Sequence, residues 1–201
     1  MQNPAFKRIG LTGGIGSGKS TFGSLLVDRG FAYIDADAIS RQLTGVNGAA
    51  LSQIRQVFGE DFIAPDGSMD RNKMRALIFA QPQAKAQLQD ILHPLVRSTM
   101  AEQEAQLMSA GKPWVVLDIP LLVESAAWQQ QLDGVLVVDC SEDRQIARVM
   151  ARNGWTREEV QAVMSAQASR QERLAAATWV IDNDSDDMQA LKRQAQAWNP
   201  A

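Results

Sequence analysis

Gly13-Gly14-Ile15-Gly16-Ser17-Gly18-Lys19-Ser20 follows directly on the apolar run Ile9-Gly10-Leu11. The stretch satisfies the spacing Gly-x4-Gly-Lys-Ser/Thr. In that pattern the glycines let successive backbone N–H groups turn inward around a β-phosphate, the lysine reaches the β and γ oxygens, and the hydroxyl ligates Mg²⁺. Lys19 to about Asp28 reads as a helix whose N-terminal dipole favours the bound anion. A strand before and a helix after are the context the pattern requires. Gly13, Gly14, Ile15, Gly16, Ser17, Gly18, Lys19, Ser20 and Thr21 are therefore expected to grip a nucleoside triphosphate, with Mg²⁺ on Ser20.

Working outward, four apolar runs rich in β-branched residues read as buried parallel strands: Arg8 to Leu11, Trp114 to Asp118, Gly134 to Asp139 and Trp179 to Ile181. Phe31 to Ile34 makes a fifth. Helical patterns separate them at Lys19 to Asp28, Ser141 to Arg152 and Thr156 to Ser169, the last opened by the capping-box signature Thr156-x-x-Glu159. The alternation predicts an α/β fold with helices on both faces of a parallel sheet. Between Asp35 and Trp114 lie more residues than one crossover helix needs, rich in Ala, Gln, Leu and Arg, so residues 38–112 are expected to form a helical insertion. One of its helices is expected to begin at Pro94 and to stop at Gly111.

The chain has 201 residues, 45% of them hydrophobic, and a formal net charge of -3, which suits one compact unit and speaks against broad binding to nucleic acid. No apolar run approaches the roughly 20 residues that cross a bilayer. The single cysteine, Cys140, ends a strand-like run and reads as core filler; with no signal-type leader before Phe6, a cytoplasmic setting is expected.

Several side chains admit two readings. Asp35-Ala36-Asp37 stands at the carboxyl end of a strand, where open parallel sheets place their ligands. Asp37 there either orients and deprotonates an attacking hydroxyl or merely caps the next helix and pairs with Arg41. Asp118 either holds Mg²⁺ through water or ends its strand. Glu124 falls near a helix start, where an acid is favoured with or without a ligand. His93, the sole histidine, cannot build a metal site or a triad unaided, but with Arg97 one turn later it offers two donors on one helix face. Gln145, Arg148 and Arg152 recur at spacings of three and four. The two arginines suit a cover that clamps transferring phosphate, and Arg152 also suits the helix end at Asn153-Gly154.

Taken together, these residues resemble the dephospho-coenzyme A kinase family. The likeness runs through Gly10 to Ser20, Asp35-Ala36-Asp37 with Arg41, His93-Pro94, Asp118-Ile119-Pro120-Leu121-Leu122 with Glu124, then Gln145, Arg148, Arg152 and Gln167, and ends at Val180-Ile181-Asp182-Asn183. The resemblance implies a P-loop NTPase fold with a five-stranded parallel sheet, a helical acceptor-binding region and a short arginine-bearing lid around residues 144–156. It implies a single kinase domain, with core residues 1–37 and 113–201, acting as a monomer or small homo-oligomer on dephospho-coenzyme A with ATP and Mg²⁺. Asp37 would deprotonate the 3′-hydroxyl, Lys19, Arg148 and Arg152 would neutralise the moving phosphoryl group, and Asn183 would lie beside the ATP base. Arg41, His93, Arg97, Leu121, Leu122 and Glu124 would hold the acceptor. Two positions depart from the family pattern: Thr178 stands where an acid is usual, and Val123 where an aromatic is frequent. Two rivals remain: a kinase of another small alcohol or nucleotide on the same scaffold, and a GTPase-like switch. The switch is disfavoured because Asn72-Lys73-Met74-Arg75, the nearest approach to Asn-Lys-x-Asp, lacks the final acid.

Overall fold

The computed structural model describes residues 6–125, 128 and 130–200. The strands β1 (Lys7–Thr12), β2 (Tyr33–Asp35), β3 (Trp114–Asp118), β4 (Gly134–Asp139) and β5 (Trp179–Asp182) form one parallel sheet in the order β2-β3-β1-β4-β5. The helices are α1 (Lys19–Asp28), α2 (Ala36–Leu43), α3 (Leu51–Phe58), α4 (Arg71–Ala80), α5 (Pro82–Ser109), α6 (Glu142–Asn153), α7 (Arg157–Ser165), α8 (Arg170–Ala176) and α9 (Met188–Ala197). The sheet expected from the five apolar runs is therefore present, with β1 at its centre.

Alternation along β1 sends Ile9 and Leu11 to one face, where they pack with Phe22 and Leu26 of α1, Leu191 and Ala195 of α9, and Trp198. On the opposite face, a side chain at Gly10 would collide with Leu122, so that glycine lets the chain after β3 close onto the sheet. β4 is buried along its whole length, as a central parallel strand should be.

Cys140, just beyond β4, is fully buried, and that burial raises its thiol pKa. It should resist a disulfide reagent such as 5,5′-dithiobis(2-nitrobenzoate) in the native protein and release one equivalent once denatured. Stoichiometric labelling of the folded protein within minutes would contradict the core role.

By contacts, the chain divides into residues 1–34 with 107–201, which carry nearly all of the sheet, and residues 35–106. Within the second unit, α2, α3 and α4 are short amphipathic helices that bury Ile39, Leu43, Leu51, Ile54 and Met74.

Three expectations about element boundaries need correction. β2 starts at Tyr33, not Phe31, because the chain first finishes α1: Gly30, at φ 81°, and Phe31 return their N–H groups to Val27 and Leu26. Pro94 does not begin a helix. It lies inside α5, where it removes one backbone bond at a cost of about 3 kcal/mol. Buried Leu88 and Ile91 before it and Met100 after it keep the helix continuous, and Pro82 holds the first position instead. The expected stop at Gly111 is found, with φ 73° and Lys112 N–H donating to Leu107 O at 3.1 Å. Lastly, Thr156 to Ser169 is not one helix. Its own capping box opens α7, but Ser169 and Glu172 form a second box that opens α8, so the two caps split the segment around Gln167. The helix expected near Glu124 falls on residues 126, 127 and 129, outside the described residues.

Candidate active site

The loop between β1 and α1 takes its shape from glycines at φ 76° (Gly16) and 91° (Gly18). Space requires glycine as well. A β-carbon at Gly13 would lie 2.5 Å from Ser17 Oγ and 2.7 Å from Val138 O, and one at Gly16 would lie 2.7 Å from Gln145 O. The loop closes on itself through Ser17 N–H to Gly14 O at 3.0 Å, and α1 begins with Phe22 N–H donating to Gly18 O. With no side chain capping its first turn, the N–H groups at the start of α1 are left for an anion. Ser17 Oγ is buried without a hydrogen-bond partner among the described residues, a polar atom inside the cradle still to be satisfied.

At the rim, Lys19 Nζ donates to Asp118 Oδ1 while Tyr33 OH donates to Asp118 Oδ2 at 2.6 Å. Asp118 is only 3% exposed and the Lys19 side chain 15%. A carboxylate this deep requires such partners. An ammonium carries three protons, so Lys19 can serve Asp118 and a phosphate oxygen together. Tyr33 was not anticipated; the only signal for it was that the chain's single tyrosine stands two residues before Asp35.

Side chains from the far end of the chain brace the loop. Asn183 Nδ2 donates to Ser17 O at 2.7 Å, and a β-carbon on Gly18 would strike that amide. Gln167 Oε1 accepts Ile15 N–H at 3.0 Å. Ile15 packs against the cluster of Ile146 and Val149 of α6 and Val160 of α7, as does Trp155. Gln145 is fully buried with Nε2 on Cys140 O, whereas Arg148 donates to Ser185 O at 2.7 Å and reaches Asp186 at 3.5 Å. Arg152 bonds only the neighbouring Asn153 among the described residues. The line of Gln145, Arg148 and Arg152 is thus graded from buried brace to exposed cation. Arg173, which sequence patterns did not single out, also reaches the loop at Gly14.

Of the residues assigned to an acceptor, Leu122 is fully buried beside Gly10, so its side chain is core, and Leu121 is exposed. Glu124 accepts Ala168 N–H at 2.6 Å. Thr178, in place of the usual acid, uses its hydroxyl to accept Val135 N–H at 3.0 Å and so anchors β5 to β4.

Residues 35–106 carry the remaining candidates. Asp35 caps α2 by accepting Ala38 N–H at 2.9 Å and pairs with Arg41 at 3.4 Å. Asp37 lies exposed in the first turn of α2. His93 and Arg97 are exposed one turn apart on α5, and so share a face.

The family model described as dephospho-CoA kinase matches residues 7–189. A dephospho-CoA kinase from Albidiferax ferrireducens is 54% identical over 184 residues, covering 92% of this chain and 87% of the relative. Among solved structures, one from Thermus thermophilus superposes with a TM-score of 0.80 at 34% identity, covering 95% of each chain. The dephospho-CoA kinase from Campylobacter jejuni gives 0.70 at 26% identity, covering 95% of this chain and 94% of that one.

Proposed function

The chain belongs to the dephospho-CoA kinase family, and from that premise we propose how its residues divide the work of moving a phosphoryl group from ATP to the 3′-hydroxyl of dephospho-CoA. Members of the family carry out the ATP-dependent phosphorylation of dephospho-CoA, the last step of coenzyme A biosynthesis, and this chain is a kinase of that kind. Gly13 to Thr21 hold the triphosphate through main-chain amides, and Lys19 neutralises charge on the β and γ oxygens. Asn183 keeps the loop in register through Ser17, and its proposed place is beside the ATP base. Arg148 and Arg152 sit on a lid around residues 144–156 and draw charge from the transferring group.

The residues present fit a divalent ion: the Ser20 hydroxyl opens α1 beside Lys19, and Asp118 supplies a fixed carboxylate. Mg²⁺ would be held by Ser20, with Asp118 acting through water, and would supply charge neutralisation at the phosphate chain. Asp37 takes the acceptor's proton, while Arg41, His93, Arg97, Leu121 and Glu124 contact the anionic acceptor. These reactions belong to the cytoplasm.

The observation that carries this reading is the glycine cradle ending in the Lys19–Asp118 pair, in a chain about half identical to dephospho-CoA kinases along nearly its whole length. Its test is coupled ATP consumption across a panel of acceptors in magnesium buffer. Dephospho-CoA is expected to accelerate turnover at least 100-fold over ATP alone, within the range of a bound, oriented acceptor. Faster phosphorylation of adenylate or shikimate would refute the acceptor assignment. Tight GTP binding with slow hydrolysis and no acceptor dependence would refute the kinase reading.

A further inference from the structure

Arg173, on α8, is 7% exposed, and its Nη1 donates to Ala168 O, a carbonyl just before its own helix. Among the described residues, no carboxylate lies within ion-pair distance of it. The neighbouring Asp139 is already held by Arg170, which grips it through Nε at 3.0 Å and Nη2 at 2.7 Å. Asp139 and Glu124 act on Arg173 only from farther away, and burial lowers its pKa from the ordinary value. An arginine keeps its proton even so. The fold therefore places a full positive charge out of water without a contacting counter-charge, an arrangement proteins rarely tolerate.

Its position suggests the reason. The second terminal nitrogen, Nη2, lies 2.8 Å from where a β-carbon of Gly14 would sit, and Gln145 Oε1, buried with no partner among the described residues, crowds the same point. Gly14 is the second glycine of the phosphate cradle, and its carbonyl accepts Ser17 N–H. Gln167, six residues before Arg173, fastens the next residue, Ile15. One guanidinium and two amides thus bear on two consecutive residues, Gly14 and Ile15, of the loop that the triphosphate is expected to occupy.

We propose that Arg173 is a phosphate-positioning residue, a buried cation held behind the loop at Gly14 that finds its counter-charge in the phosphate chain of the bound nucleotide. This rests on the reading of residues 13–21 as the triphosphate site. Arg173 acts through the loop: it adds positive potential at the floor of the cradle and fixes the Gly14 peptide, whereas Lys19 acts at the rim. Because its charge lacks a contacting counter-charge among the described residues, it contributes to nucleotide binding rather than to folding.

The test uses three variants of the full chain, R173Q, R173M and R173K, with dissociation constants for ATP, ADP and AMP by titration calorimetry and thermal midpoints without nucleotide. R173Q keeps a donor for Ala168 O and removes the charge. It should weaken ATP about tenfold, ADP less and AMP within twofold, since a fixed charge discriminates by ligand charge. R173M should show the same ordering. R173K should weaken ATP less than either neutral variant, because a lysine can still carry charge there but gives up its proton more readily than arginine when buried. The thermal midpoints of R173Q and R173M should not fall below that of the parent. Equal weakening of all three nucleotides, unchanged ATP affinity, or loss of the fold in both neutral variants would make Arg173 structural and overturn the proposal. If the parent itself fails to bind ATP, the reading of the loop fails instead, and the two failures are told apart in the same titration.

Discussion

Replacing Lys19 by alanine is expected to lower kcat by about 10²- to 10³-fold, comparable to the loss of a donor aimed at developing charge in a transition state. Phosphoryl transfer passes through a loose transition state that needs positioning and charge neutralisation more than covalent help, and both are the role proposed for Lys19. Its side chain is held by a bond to Asp118, which Tyr33 fixes from the other oxygen, so the ammonium is ordered before any phosphate arrives. That order carries a second consequence. Without Lys19 the buried Asp118 loses its cation, and breaking such a pair costs up to about 3–5 kcal/mol, less here because the lysine is partly exposed. A fall in turnover could then reflect a weakened fold. The control is K19A combined with Asp118→Asn, which removes the stranded charge. Thermal stability should recover toward that of the parent while turnover does not. A K19A protein with kcat within tenfold of the parent would remove Lys19 from the chemistry.

Legibility in the sequence followed how local the determining physics is. The phosphate loop and its flanking strand and helix are specified by a single stretch, because the glycine positions, the lysine and the following helix all act within a few residues, and the structure reproduces Lys19–Asp28 residue for residue. The strands were readable because both faces of a parallel sheet are covered, which demands near-continuous apolar runs such as Gly134–Asp139. Where two local signals competed, the reading failed. Pro94 is a strong breaker on propensity alone, but α5 buries Ile91 before it and Met100 after it, and tertiary burial outweighs the lost bond. The Thr156 box concealed the Ser169 box that follows it. What sequence reasoning missed at the site is non-local. Tyr33 meets Asp118 across 85 residues, and Arg173 approaches Gly14 from the far end of the chain. No spacing rule links such pairs. Asn183 was expected beside the ATP base, but its bond to Ser17 O was not foreseen, since an amide's partner is decided by packing rather than by pattern.

Asp37→Asn should bind ATP and dephospho-CoA with constants within about threefold of the parent yet lower kcat by 10²- to 10⁴-fold, the range of general-base catalysis. The neighbouring acid makes this prediction sharp. Had Asp37 capped α2, a drop in activity could be attributed to a frayed helix, but Asp35 caps it by accepting Ala38 N–H, and Asp35 also pairs with Arg41. The two acids should therefore separate in opposite directions. Asp35→Ala should cost about 0.5–2 kcal/mol of stability, the usual loss on removing an N-cap. Asp37→Asn should leave thermal stability within about 0.5 kcal/mol of the parent, as expected for an exposed position. An asparagine keeps the size of the side chain and can still accept a hydrogen bond, but it cannot take a proton from an alcohol. Single-turnover measurements with both substrates bound separate the chemical step from release, so a slow Asp37→Asn transfer would be read directly. If that rate stays within threefold of the parent while Asp35→Ala abolishes it, the base is Asp35, and its cap to α2 becomes part of the catalytic geometry.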